Sequence, residues 1–119
     1  RFITAVKAGK APTVYGDGEQ TRDFTFVANV VEANRAACRA GADALGGAYN
    51  IGCGSRISLN DLLRSLGRIT GKEVRPDYAE PRAGDIRHSL ADIDLAGSRL
   101  GFRPLVELTE GLRRTLEAY

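Results

Sequence analysis

The chain has no methionine and no tryptophan, a single histidine, and two cysteines among its 119 residues. Each scarcity removes a class of function. Cys38 stands in a helical pattern and Cys53 between two glycines, with no ligand histidine beside either, so neither a disulfide framework nor a zinc site is expected. Lys and Arg number 17 against 15 Asp and Glu, a net charge of +2 with the signs interspersed, so no basic stripe exists to neutralise a nucleic-acid backbone. No apolar run reaches the ~20 residues that a membrane-spanning helix needs, and no basic-then-apolar leader opens the chain. A reducing cytoplasm fits these features best, with neither nucleic acid nor membrane as a partner. The length suits one modest domain over residues 1–119. Because Arg1 comes first, the expectation is a piece of a longer protein, cut after its natural start.

Catalytic groups are equally scarce. His88 sits between Arg87 and Ser89 with no nucleophile or metal partner in view, which gives it structural or surface duty. Tyr15, Tyr49, Tyr78 and Tyr119 lack a lysine four positions later, so no proton-abstracting Tyr-x-x-x-Lys pair can be assembled. The loop Gly52-Cys53-Gly54-Ser55 precedes a helical pattern, but Ile57 stands where a G-x-G-x-x-G fingerprint requires glycine. No catalytic or metal residue is assigned.

What is present is an interleaving of short strands and amphipathic helices, hence a mixed α and β fold in one compact region. Phe2, Ile3 and Val6 read as the end of a helix, Thr13 to Tyr15 as a strand, Gly16 to Gln20 as a tight turn, and Phe24 to Val27 as a second strand. From Val27 the period becomes helical, with one face at Val27, Val30, Val31, Asn34, Ala37 and Cys38 and with Asn29 as the expected cap. Ala48 to Ile51 reads as a strand. Ser58 and Asp61 have capping-box spacing ahead of Leu59, Leu62, Leu63, Leu66 and Ile69, a stripe that ends at Gly71. Glu73 to Tyr78 reads as an edge strand because of Pro76. Asp92 or Asp94 is expected to cap a short helix ending at Gly101, and a last helix runs from near Thr109.

One binding constellation remains: Tyr15, Arg22, Arg82 and Asp85. A glycine-punctuated turn delivers Arg22 to the start of a strand, and a guanidinium's fixed fork matches two phosphate oxygens at once. Taken alone, an arginine followed by an aspartate, as in Arg22-Asp23, is more often a solvated surface pair than a ligand site. If Arg22 and Arg82 face one pocket they offset a diphosphate, and Asp85, repelled by it, turns to an acceptor role on the vicinal hydroxyls of a ribose. Tyr15 reads either as a ring packed on a base or as a rim residue.

Pro12-Thr13-Val14-Tyr15-Gly16-Asp17-Gly18-Glu19-Gln20-Thr21-Arg22-Asp23-Phe24-Thr25-Phe26-Val27 resembles the substrate-domain signature of NAD-dependent sugar-nucleotide epimerases and dehydratases, the extended short-chain dehydrogenase/reductase family. Tyr49-Asn50-Ile51-Gly52, Pro81-Arg82-Ala83-Gly84-Asp85-Ile86, Leu100-Gly101-Phe102 and Leu108-Thr109-Glu110-Gly111-Leu112 follow in that family's order. The chain is most similar to the branch of UDP-glucose and UDP-N-acetylhexosamine 4-epimerases. The resemblance implies the C-terminal substrate-binding lobe of such an enzyme, without the N-terminal Rossmann domain that binds NAD and carries the catalytic residues. Arg22 and Arg82 would hold the diphosphate of a UDP-sugar, Asp85 the ribose, and Thr13 to Tyr15 the uracil. The full enzyme would oxidise the sugar C4 hydroxyl with NAD and return the hydride to the opposite face, and homodimerisation through upstream helices stays open. Two alternatives also stay open: a dehydratase or reductase of the same family, and a non-catalytic interaction domain. The family's usual acidic pair after the aromatic run is replaced by Ala28 and Asn29, and the Ala48–Ile51 strand is expected to pair with the upstream sheet.

Overall fold

In a computed structural model describing residues 1–119, the apolar side chains are divided between two small cores. The larger gathers Val6 from α1 (Phe2–Lys7), Val14 from β1 (Thr13–Tyr15), Leu63 and Leu66 from α3 (Leu59–Thr70) and Leu116 from α5 (Leu108–Ala118). The smaller joins Ala33 of α2 (Val27–Arg39), Ala96 of α4 (Asp94–Leu100) and Phe102, with Tyr49 and Ile51 packed beside them. α3 forms as its sequence dictates. The Ser58 hydroxyl accepts from the Asp61 amide at 3.0 Å and donates to the Asp61 carboxylate at 2.8 Å. The leucine stripe then buries Leu62, Leu63 and Leu66, each contributing roughly 1.5–3 kcal/mol, and Gly71 closes the helix in the left-handed conformation.

Two ribbons carry the functional loops. β1 pairs parallel with β4 (Asp77–Ala79), Tyr15 lying opposite Ala79. β2 (Thr21–Arg22) pairs antiparallel with β3 (Ile57–Ser58). Between β1 and β2, Gly18 has a φ of 77°, and a Cβ there would collide with the Asn60 side chain, so the turn that returns the chain toward Arg22 requires glycine. The segment after β4 is bridged to β2 at Thr21 and His88.

Several expected elements differ. Phe24–Val27 is not a strand: no neighbouring backbone is offered to it, and Phe26 serves as the extended residue that opens α2. Asn29 does not cap that helix. It is fully buried, its Oδ1 accepts from the amides of Leu105 and Val106 at 2.9 Å each, and its Nδ2 donates to the Val106 carbonyl at 2.9 Å. Ala48–Ile51 forms no strand and pairs with nothing in the chain. Pro76, lacking an amide donor, delays β4 to Asp77. Ile93 takes the N-cap position of α4, and Asp92 Oδ1 accepts from the Asp94 amide at 3.0 Å, so Asp92 supplies the expected capping contact. The last helix starts at Leu108, one residue before the expected Thr109.

α2 is the largest departure. Its buried residues are Asn29, Ala33 and Ala36, the small face, whereas Val27 is 64% and Val31 52% exposed. The helical period is the one the sequence indicates, but the valine face is turned outward. The molecule is also flatter than the expected compact body, with extents of 50 × 33 × 16 Å and a radius of gyration of 16.5 Å. A compact body of this length has a radius near ~14 Å.

Asn29→Ala strands two amides and a carbonyl in the interior, and is expected to cost about 3 kcal/mol in urea unfolding. The exposed valine face favours self-association of the chain, so Val31→Lys is expected to shift sedimentation toward monomer without lowering helix content by circular dichroism.

Candidate functional site

β1 brings Tyr15 to the mouth of a cavity, and the parallel pairing to β4 places the following segment, Glu80 to Ser89, across it. The Arg82 guanidinium lies over the Tyr15 ring, 3.7 Å from its centroid. Hydrogen bonding to Arg82 and that residue's positive charge hold the Tyr15 phenol below its ordinary value of 10.0. Arg82 has no carboxylate partner, whereas Arg22 is paired with Asp85 and Arg87 with Asp17. Gln20, which nothing in the sequence pattern singles out, is buried in the cavity wall and donates from Nε2 to the Tyr15 carbonyl at 2.6 Å.

Arg22 leaves β2 beside the same segment. Its Nη2 meets Asp85 Oδ1 at 2.7 Å, and its Nη1 donates to the Thr21 carbonyl at 2.9 Å and the Arg87 carbonyl at 3.5 Å. The side chains are 27% and 41% exposed, which leaves the pair accessible to a competing anion. Arg87 in turn grips Asp17 with two nitrogens, at 2.7 and 2.8 Å. The Arg87 hydrogen bonds, helped by the Glu19 amide, pull the Asp17 carboxyl down to about 2. His88 Nδ1 meets the Thr21 hydroxyl at 2.9 Å, which gives the lone histidine the structural duty expected of it.

Tyr15, Gln20, Arg82 and Asp85 form a wall common to two open cavities of about 630 and 530 Å³. The first is completed by Arg1, Phe2, Pro12, Thr13 and Leu59, an apolar recess beside a cation. Of the four candidate residues, Tyr15, Arg82 and Asp85 therefore meet in one place. Arg22 lines neither large cavity; it borders a recess of about 40 Å³ with Phe24, Cys53 and Ile57, and reaches the site through Asp85. Such an arrangement suits an anion attached to a flat, partly apolar group. Asp17 and Arg87 escape sequence reasoning because their pairing spans 70 positions, and Gln20 because its partner, the Tyr15 carbonyl, is a backbone group that no residue type marks.

The glycine loop does different work. Asp23, instead of pairing with its neighbour Arg22, accepts from the Cys53 amide at 2.9 Å and the Gly54 amide at 3.0 Å. Those are the donors a dinucleotide's pyrophosphate would need, and a carboxylate already holds them, so this loop does not fit NAD. A Cβ on Gly52 would approach Asp23 Oδ2 to 2.7 Å, which explains the glycine by packing. No His/Cys/Asp/Glu grouping could hold a metal ion, and no helix is long and apolar enough to cross a membrane.

Comparison with known proteins adds to this geometry. The model of a family described as GDP-mannose 4,6 dehydratase matches residues 1–115. The UDP-glucose 4-epimerase of Mycolicibacterium smegmatis is 38% identical over 119 residues, covering 99% of this chain and 37% of that protein. A Thermotoga maritima UDP-glucose 4-epimerase, solved with UDP-glucose, superposes with a TM-score of 0.89 at 39% identity, over 98% of this chain and 37% of that one. A Bacillus cereus UDP-glucuronic acid 4-epimerase, solved with UDP-glucuronic acid and NAD, superposes at 0.92 with 31% identity and the same coverage. The chain thus spans little more than a third of the length of these relatives.

Because the folded carboxyl of Asp17 titrates near 2, below its ordinary value of 3.8, the Asp17–Arg87 clasp is complete above pH ~4 and is lost as pH falls toward about 2. Asp17→Asn is expected to flatten that part of the acid unfolding profile, followed by fluorescence or circular dichroism.

Proposed function

Given that the chain belongs to the family of NAD-dependent sugar-nucleotide epimerases and dehydratases, we propose that it is the C-terminal substrate-binding part of a UDP-sugar 4-epimerase and grips the UDP moiety. The carrying observation is the convergence of Tyr15, Arg82 and Asp85 on one cavity wall, with Arg22 joined to it by an ion pair. In this reading Arg82 and Arg22 hold the diphosphate, and the strand Thr13–Tyr15 lines the uracil recess. Asp85 uses Oδ1 for Arg22 and leaves Oδ2 to accept from the ribose, so the ion pair and the sugar contact coexist. The reaction at the sugar is assigned to residues outside these 119. NAD belongs there too, since the glycine loop of this chain is already occupied by Asp23.

Relatives in this branch that are named UDP-glucose 4-epimerase favour UDP and glucose, whereas the family model carries the name of a GDP-mannose dehydratase. A dehydratase reading keeps the same diphosphate grip and changes the base. Melting the protein with UDP, dTDP and GDP separates the two. UDP at a hundredfold excess over its dissociation constant should stabilise the fold by about 2.7 kcal/mol, and equal shifts with all three would withdraw the uracil assignment. An interaction domain without a nucleotide site would show no shift with any of them.

Arg22→Ala is expected to weaken UDP binding by ~1.5–3 kcal/mol in calorimetry, the range for a lost hydrogen bond to a charged group, because Asp85 is then left unpaired beside the phosphates. Unchanged affinity would remove Arg22 from the site.

A further inference from the structure

We propose that Asp17 and Arg87 are positioning residues for Arg22: their clasp, braced from α3 by Asn60, sets where the Arg22 guanidinium stands and so how tightly the ligand's phosphates are held. The inference rests on the UDP-site reading and extends it to side chains outside the contacts assigned to the ligand.

One short run of chain holds both terminal nitrogens of Arg22. Nη2 meets Asp85 Oδ1 at 2.7 Å, and Nη1 donates to the Arg87 carbonyl at 3.5 Å as well as to the Thr21 carbonyl at 2.9 Å. That run lies against β2 through its backbone: the Thr21 amide donates to the Arg87 carbonyl at 2.9 Å, and the Ser89 amide to the Thr21 carbonyl at 3.1 Å. The Arg87 side chain adds a restraint in another direction. It reaches to the glycine turn and takes both Asp17 oxygens, at 2.7 and 2.8 Å, a planar two-bond pairing that fixes direction as well as distance. Asp17 is held in turn. Its Oδ1 accepts from the Glu19 amide at 2.9 Å, and Asn60, in the first turn of α3, donates from Nδ2 to the Asp17 carbonyl at 3.0 Å and the Glu19 carboxylate at 2.6 Å. The Asn60 amide donates to the Gly18 carbonyl at 3.1 Å, and the Tyr78 hydroxyl donates to Asn60 Oδ1 at 2.9 Å, so β4 is tied to the same point. α3 therefore stands behind Arg22 through an unbroken series of contacts, Asn60 to Asp17 to Arg87. Supports of this kind hold a binding group in place without touching the ligand. By its charge alone, a carboxylate at position 17 opposes the binding of an anion nearby, so placement and charge act on the ligand with opposite sign.

Calorimetry with UDP on the intact protein separates the two effects. Asp17→Asn removes a negative charge, which by itself tightens UDP; through lost placement it is expected to weaken UDP by about three- to tenfold. Arg87→Lys, which keeps the charge but offers one point in place of a fork, should weaken UDP as well. In an Arg22→Ala background Asp17→Asn should change UDP affinity by less than about twofold, and the exchange of Asp17→Arg with Arg87→Asp should return to within about threefold of wild type. Unchanged or tighter binding in Asp17→Asn, or an undiminished loss without Arg22, would overturn the proposal. Tighter binding there together with weaker binding in Arg87→Lys would overturn it in favour of Arg87 as a direct phosphate ligand. The two side chains are more than half exposed, and circular dichroism melting checks that each variant is folded at the temperature of measurement. Should Asp17→Asn not fold, Arg87→Lys and the exchange make the same comparison. Placement is also read without ligand: the NMR signal of the Arg22 guanidinium, identified by its loss in Arg22→Lys, should shift in Asp17→Asn, and an unshifted signal would overturn the proposal even where UDP binds. If wild type itself binds no UDP, the UDP reading fails and the proposal falls with it.

Discussion

Arg22 stands between a strand and a loop, bonding Asp85 on one side and the Thr21 and Arg87 carbonyls on the other, and the candidate site takes its shape from that contact. The segment from Glu80 to Ser89 contains no helix, so without fastenings it would not hold Arg82 and Asp85 in register with β1. Three further contacts fasten it: the Arg87–Asp17 clasp, the Thr21–His88 bridge, and the Arg82 stack on Tyr15. Each ion pair here is partly exposed, a class whose members are individually worth ~0–1 kcal/mol. A loop tied by several weak contacts is ordered on average yet can exchange one of them for a ligand at little cost. That suits Arg22, which must be both a structural clasp and, in the proposed reading, a phosphate donor.

The two arginines are therefore not equivalent, although from the sequence they look alike. Arg22 begins engaged and must share its donors with Asp85, whereas Arg82 begins with its fork unclaimed by any carboxylate. Ring stacking keeps the second guanidinium ordered without neutralising it, which a salt bridge cannot do. An anion entering the site meets the free donor set first. Asp85 then moderates the total charge, because its second oxygen remains an acceptor close to the cations.

Local chemistry makes part of this legible in advance. The Ser58–Asp61 cap, the leucine stripe of α3 and the stops at Gly71 and Gly101 depend on neighbours within one or two turns, and they stand where the sequence places them. Tyr15, Arg82 and Asp85 are also recoverable, since the resemblance aligns them and the parallel β1–β4 pairing brings them together. What is not legible depends on distant partners. Asn29 has the composition of a helix cap, but three backbone groups at Leu105 and Val106 compete for its amide and win. Phe24 to Phe26 has strand-like residues and no strand to pair with, so propensity has nothing to act on. Asp23 looks like the natural companion of Arg22, yet it accepts from the amides of Cys53 and Gly54 while the Arg22 guanidinium is engaged by Asp85 and the Thr21 carbonyl.

α2 shows the same limit in its clearest form. Its apolar period is plain, and a stripe of valines at Val27, Val30 and Val31 would ordinarily be assigned to the interior. The face packed within this chain is the opposite one, where Ala33 and Ala36 allow close approach to the α4 side of the smaller core. A helix with apolar residues on both sides can be covered on both sides, and here the valine side is exposed. The unpaired Ala48–Ile51 segment packs against the same small core through Tyr49 and Ile51. Two small cores, a flattened outline and an exposed valine face occur together in this chain. The candidate site relies instead on charge and hydrogen bonds that join β1, β2 and the turn between them to the segment after β4, contacts that this chain makes with itself.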